Sequence, residues 1–214
     1  MTPASQSFIN TLLFDWDGTL NDSAAAGFRA FQKSLEGFDV QFDRKFYDQH
    51  YTPNWYAMYE TMGLAREHWE QADSLWMQHY ASEESKMVEG ALETVIKLHS
   101  KGYNLGIVSS GNHSRIFGEL QRQQLDSIFK TLVCNEQITN KKPHPEGLEC
   151  AMRALDCSPR ACAYIGDVPE DIEMGRRARV LTVGVRSNFP SSKNLIETRP
   201  DIYLDSITEL LLHF

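Results

Sequence analysis
The pattern of apolar and polar positions divides this chain into two styles. From Gly90 onward, short apolar runs alternate with stretches of helical periodicity. Ala91 to Lys101 reads as an amphipathic helix closed by Gly102, Asn104 to Val108 as a strand, and Arg115 to Gln124 as a helix. Thr131 to Cys134 follows as a short strand, then Glu146 to Leu155 as a helix that Pro145 can start. Ala161 to Ile165 and Val180 to Val185 read as strands on either side of a helix from Glu170 to Ala178. Asp201 to Leu204 is a candidate last strand, and Ser206-Ile207-Thr208-Glu209 has the form of a capping box opening a terminal helix. Near the other end, Ile9 to Phe14, broken only by Asn10 and Thr11, reads as a buried parallel strand. Between Asn21 and Glu89 no strand is legible. Helices are expected at Ala24 to Leu35, around Trp55 to Met62, and from Glu67 to Ser82, where Trp69, Ala72, Leu75, Trp76, His79 and Tyr80 recur at helical spacing as a packing stripe.

Repeated β-α units imply a doubly wound parallel sheet with helices on both faces. The helical stretch splits the first strand from the rest. The expected fold is therefore an α/β, Rossmann-like core, residues 1–21 and 90–214, carrying an inserted all-helical cap, residues 22–89, with Asn21 and Gly90 as hinges. A length of 214 residues with 42% hydrophobic and 23% charged positions suits one generous globular domain or a domain with a small insertion. The net charge of -8 argues against a general nucleic-acid or anionic-membrane surface. Met1 to Ser7 lacks a basic residue and an apolar segment, so no signal peptide is read and the cytoplasm is the expected location. Cys134, Cys150, Cys157 and Cys162 form no Cys-x-x-Cys pair and read as reduced.

Chemistry concentrates at the ends of the expected strands. Asp15-Trp16-Asp17-Gly18-Thr19-Leu20 leaves the carboxyl end of the first strand, the rim where open α/β sheets bind ligands. Two carboxylates converging there are unfavourable without a cation or a shared proton. Calcium in an EF-hand loop is excluded, because the sixth and twelfth positions from Asp15 are Leu20 and Ala26 rather than Gly and Glu. Ser109-Ser110-Gly111-Asn112 closes the second strand, Lys141-Lys142-Pro143 precedes a helix, and Gly166-Asp167-Val168-Pro169-Glu170-Asp171 closes a later strand. Singly, each is an ordinary cap or turn; their joint order is not.

Taken together these segments resemble the four motifs of the haloacid dehalogenase superfamily, in particular its phosphoglycolate phosphatase-like branch with a small helical cap. Asp15-x-Asp17-Gly18-Thr19 matches the first motif, Ser109 the second, Lys142 the third, and Gly166-Asp167-x-x-x-Asp171 the fourth. The resemblance implies a phosphatase acting on a small phosphorylated metabolite. Mg²⁺ would be held by the Asp15 carboxylate, the Asp17 backbone carbonyl and the Asp167 carboxylate, with Asp171 supporting the metal or holding Lys142. Asp15 would attack phosphorus, Asp17 would act as acid and then base, Ser109 with backbone N–H groups near Trp16 and Ser110 would bind phosphoryl oxygens, and Lys142 would supply a fixed cation. Gly111 and Asn112, and Thr52 and Asn54 in the cap loop His50 to Trp55, are the remaining candidate substrate contacts; Trp55 and Tyr56 read as cap core and His113 as a surface residue. That loop carries no Lys or Arg, so a second anion on a substrate would need its cation from elsewhere. The presence of Asp17 favours phosphoester over carbon–halogen chemistry. A phosphomutase is the nearest alternative, although the residue at the place of the mutase histidine is Gly27; an inactive binding relative is the other. Trp16, Pro169 and Arg179, the last at the place of a helix-ending glycine, depart from the family pattern.

Overall fold
β1 (Thr11–Phe14) consists of four residues with no exposed surface among them, which fits a strand covered on both faces. It opens a computed structural model that describes residues 9–214; the reading of Met1 to Ser7 lies outside these. The chain continues through β2 (Asn21–Asp22), α1 (Ala24–Leu35), α2 (Arg44–His50), α3 (Trp55–Met62), α4 (Trp69–Tyr80), β3 (Lys86–Met87) and α5 (Ala91–Ser100). The second half runs β4 (Asn104–Val108), α6 (His113–Arg122), β5 (Phe129–Val133), α7 (Glu146–Ala154), β6 (Cys162–Gly166), α8 (Pro169–Ala178), β7 (Leu181–Val185) and β8 (Ile202–Leu204).

Six strands form one parallel sheet in the order β5-β4-β1-β6-β7-β8. Alternation along β1 sends Leu12 and Phe14 to one face, where they pack with Val95 and Leu98 of α5 and Ile116 of α6. Leu13 goes to the other face, with Leu148 of α7, Tyr164 of β6 and Met174 of α8. Both faces are therefore covered. From β1 the chain proceeds to β4 on one side, whereas β6 proceeds to β7 on the other. The crevice between the carboxyl ends of β1 and β6 is thus a topological switch point.

Helices α1 to α4 form the cap around Phe31, Leu35, Tyr47, Met58, Tyr59 and Ala72. Its entry and exit are tied by a two-residue antiparallel ribbon, Asn21 opposite Met87 and Asp22 opposite Lys86. The ribbon is too short to leave a periodic signature. The hydrophobic pattern also gave no sign of α2, whose start is fixed by the Asp43 carboxylate accepting the Phe46 N–H at 2.7 Å. The expected helix from Glu67 begins instead as a 3-10 turn, Arg66–His68, before α4. The expected terminal helix is 3-10 throughout, Ile207–Leu212: its capping box forms, and the tighter winding puts Ile207 and Leu210 in one row against the core. α6 starts two residues earlier than expected because the Asn112 side chain accepts the Arg115 N–H. Among the described residues no helix is long and apolar enough to cross a membrane.

Arg179 caps α8 in the left-handed conformation, φ 61°, with its N–H on the carbonyls of Gly175 and Arg176 and its side chain exposed. The backbone there keeps the geometry of a glycine cap at the strain of a side chain. Arg179→Gly is expected to stabilise the protein by about 0.5–1 kcal/mol, read as a rise of roughly 1–4 °C in Tm by thermal unfolding.

Candidate active site
Adjacent strands bring the motifs together: Asp15 follows β1, Ser109 follows β4 and Asp167 follows β6, and β1 lies between the other two. Lys142 arrives from the connection between β5 and α7. Its Nζ lies 2.6 Å from Asp15 Oδ1 and 2.8 Å from Asp171 Oδ1, and the residue is only 5% exposed. Lys141, by contrast, donates to the carbonyls of Asn135 and Ile138 within its own loop. Asp15, Asp167 and Asp171 each offer a carboxylate oxygen within 4.8 Å of the others. Gly18 makes this convergence possible. It sits at φ 89°, and a Cβ there would fall 2.3 Å from Asp167 Oδ2.

Three buried carboxylates face one ammonium, and the electrostatics follow. Burial pushes the Asp15 carboxyl up to about 7, although Lys142 pulls it down. Burial, with Asp15 and Asp171 nearby, holds Asp167 well above the usual carboxylate range. Burial opposes the charge on Lys142, but Asp15 and Asp171 raise it well above its ordinary value. Such a donor set fits a hard divalent cation: an octahedral oxygen shell at about 2.1 Å has ligand atoms roughly 3.0–4.2 Å apart. Asp167 is oriented for that role by the hydroxyls of Thr19, 3.1 Å from Oδ1, and Ser187, 2.6 Å from Oδ2. Asp171 is not free in the same way. Its oxygens already meet Lys142, the Tyr164 hydroxyl and the N–H groups of Asp167 and Val168, so its position suits holding Lys142.

Asp17 is engaged by a residue absent from the sequence-based candidates. Both guanidinium ends of Arg115 fork onto its carboxylate, Nη1 at 3.1 Å, and the Ser23 hydroxyl donates to Oδ1 at 2.7 Å. Arg115 also bonds Glu119 at 3.1 Å, and Glu119 accepts the Trp16 indole N–H at 2.6 Å. This partner accounts for Trp16, whose side chain is fully buried. Gly111 leaves the space that the guanidinium occupies, since a Cβ there would lie 2.3 Å from Arg115 Nη2. The i,i+4 spacing of Arg115 and Glu119 was readable as a helix-surface pair. Nothing local announced that the pair turns inward to Asp17.

A cavity of about 250 Å³ opens between this rim and the cap. Asp15, Asp17, Ser109, Ser110, Asn112 and Asp167 line it, as do Gly111 and Thr52. Thr52 also donates to Glu170 at 3.0 Å, tying the cap loop to α8. Asn54 is not part of the lining; it stands at the N-terminus of α3. Trp16 is likewise not part of the lining, and its side chain turns to Glu119. Asn112 caps α6 and bonds Glu136, while His113 stacks on the exposed Phe117 outside the lining. Trp55 and Tyr56, expected in the cap core, face the cavity as well as packing against that core. Gly27, at the mutase histidine position, is also in the wall.

A family profile described as haloacid dehalogenase-like hydrolase matches residues 12–185. The pyrophosphatase PpaX of Listeria welshimeri is 31% identical over 208 residues, covering 95% of each chain. Among solved structures, a haloacid dehalogenase-like family hydrolase from Streptococcus pneumoniae superposes with a TM-score of 0.82 at 20% identity, over 96% of this chain and 98% of that one. CbbY from Rhodobacter sphaeroides, solved in complex with phosphate, gives 0.82 at 19% identity, over 95% and 96%.

Removing the Arg115 cation would leave the partly buried Asp17 and the buried Glu119 without their shared counter-charge. Arg115→Met is expected to destabilise the protein by about 3–5 kcal/mol in urea unfolding, and the double variant with Glu119→Gln to recover part of that loss.

Proposed function
This chain belongs to the haloacid dehalogenase-like hydrolases, and we propose that it is a magnesium-dependent phosphomonoesterase of the phosphoglycolate phosphatase-like type, acting on a small phosphorylated metabolite. The observation that carries the reading is the grouping of Asp15, Asp167 and Lys142 at the switch point, with Lys142 2.6 Å from Asp15 and the cavity directly above. The relative named a pyrophosphatase supports phosphoryl hydrolysis as the reaction class. We take the core as residues 1–21 and 90–214 and the cap as residues 22–89.

In the proposed reaction, Asp15, Asp167 and the Asp17 carbonyl would hold Mg²⁺, which when bound neutralises phosphoryl charge and orients the ester. An oxygen of Asp15 attacks phosphorus, forming the aspartyl phosphate as the bond to the leaving oxygen breaks. Asp17, a carboxylate in the Arg115 fork, must first take up a proton, which it gives to the departing alkoxide. It then takes a proton from water as that water attacks phosphorus, which frees inorganic phosphate and the Asp15 carboxylate. Lys142 and the Ser109 hydroxyl stabilise the phosphoryl oxygens, together with N–H groups at Trp16, Ser110 and Gly111. Asp171 fixes Lys142, and Arg115 fixes Asp17; both are positioning residues. Gly27 supports the phosphatase reading over the mutase, because no side chain stands in the wall where a mutase histidine would act.

Purified protein with a panel of phosphorylated metabolites is expected to release phosphate with Mg²⁺ and to lose that activity in excess EDTA. Asp15→Asn should reduce kcat at least about 10³-fold while keeping the wild-type Tm within a few degrees; wild-type turnover in this variant would refute the nucleophile. Asp17→Asn should slow both formation and hydrolysis of the aspartyl phosphate by about 10²–10⁴-fold in single-turnover experiments, whereas slowing of formation alone would remove its role as base.

A further inference from the structure
Nine aromatic side chains line the cavity, including Phe31, Trp55, Trp76, Tyr80 and Phe189. Several are mutually near-parallel, Trp76 on Tyr80 at 18° with centroids 4.7 Å apart and Trp55 toward Trp76 at 11°. Flat apolar walls of this kind favour flat rings. Charge points the same way. Arg115 is the only basic residue among the described residues of the lining, and its fork is taken by Asp17 and Glu119. Lys142, below the cavity, is divided between Asp15 and Asp171. On the cap side the wall offers Asp73, whose carboxylate accepts the hydroxyls of Tyr56 at 2.8 Å and Tyr59 at 3.1 Å. On the core side it offers Glu136. A leaving group bearing a second anion would meet carboxylates, and no cation that is not already shared by two of them.

The cavity does offer unpaired hydrogen-bonding groups. The Tyr47 hydroxyl belongs to a residue 1% exposed and has no partner in the protein, although Tyr47 lines the cavity. The Nε–H of Arg115, whose side chain is 7% exposed, is likewise unpartnered. The Trp55 indole N–H and the Tyr80 hydroxyl are unpartnered as well, so four such atoms belong to residues around one cavity. Buried polar atoms without partners are uncommon, and this excess suits an occupant that supplies their bonds.

Resting on the phosphomonoesterase reading above, we infer that the alcohol released by this enzyme carries an uncharged flat ring with hydrogen-bonding substituents, and that substrates whose leaving group is itself anionic, such as pyrophosphate or phosphoglycolate, are disfavoured. The ring stacks among Trp55, Trp76 and Tyr80, and Tyr47 and Arg115 Nε–H bond its polar substituents. Asp73 sets the selection against negative charge.

Two aryl esters of matched size separate the cases: 4-carbamoylphenyl phosphate and 4-carboxyphenyl phosphate, assayed with Mg²⁺ beside pyrophosphate and 2-phosphoglycolate. The amide is expected to exceed each anionic competitor by at least about tenfold in kcat/KM. Asp73→Asn should narrow the amide-to-carboxylate ratio. Tyr47→Phe should lower kcat/KM for the amide about tenfold with no fall in Tm, a split that a purely structural hydroxyl would not produce. Parity, or preference for an anionic leaving group, overturns the inference and leaves the phosphatase reading standing. An unchanged ratio in Asp73→Asn, or an unchanged kcat/KM in Tyr47→Phe, overturns the role given to that residue. Absence of phosphate release from all four compounds and from 4-nitrophenyl phosphate would instead sink the phosphatase reading itself.

Discussion
The ammonium of Lys142, set between Asp15 and Asp171, is the interaction on which the site is built. Three carboxylates within 4.8 Å of one another, all buried, would repel strongly in a medium of low polarity. One cation reduces that repulsion without removing it. Burial first, and then the remaining imbalance, raise Asp15 and Asp167 above the usual carboxylate range, and a donor set of this kind fits a further, divalent positive charge. The fold supplies the arrangement at low conformational cost. β1 and β6 are neighbours in the sheet, Asp171 lies in the first turn of α8 at the same crevice, and the Tyr164 hydroxyl braces Asp171 from within β6.

A second cation repeats the theme. Arg115 is shared by Asp17 and Glu119 as Lys142 is shared by Asp15 and Asp171, so that each positive group in the site is matched to two negative ones. Arg115 differs in reach. Its guanidinium lies 4.9 Å from the Tyr80 ring and 5.8 Å from that of Trp76, both on α4 of the cap. The same side chain that orients Asp17 therefore touches the lid. An arginine is suited to this where lysine is not, because its planar fork can bind a carboxylate edge-on while presenting a face to aromatic rings.

How much of this was legible depended on sequence separation. Asp15, Asp17, Ser109 and Asp167 each sit in a short segment whose form, an apolar run ending in a chemically marked turn, is a local property, whereas Lys142 was picked out by its place before Pro143, as in the family the chain resembles. The sheet was legible for the same reason: strands buried on both faces read as continuous apolar runs, and only their ends moved by a residue or two. The Arg115–Asp17 pair spans 98 positions, and no local rule turns a helix-surface arginine inward. Asn54 was placed by analogy with a cap loop and sits at a helix terminus outside the cavity wall, while Trp55 and Tyr56 have one face on the cap core and one on the cavity, which periodicity cannot divide. Arg179 adopts the glycine conformation without being glycine, so the residue type at that position did not announce the cap, which its N–H closes on the carbonyls of Gly175 and Arg176.

Cap and core meet through residues that already have work in the site, and this constrains how the lid can move. Thr52 bonds Glu170, the residue before Asp171; Tyr51 stacks on Phe189 at 4.8 Å; and Phe189 is the group that the missing Cβ of Gly18 would strike after Asp167. Opening the cap must break the Thr52–Glu170 bond, unstack Tyr51 and withdraw Tyr80 and Trp76 from Arg115. None of these contacts is strong alone, each being worth on the order of 1 kcal/mol. Their position matters more than their strength. All three end within a residue or two of a group that holds charge in the crevice, so a closed cap and an ordered set of charges are one structural state. In that state aromatic rings wall the cavity above the Asp15–Lys142 pair, which lowers the polarity around it.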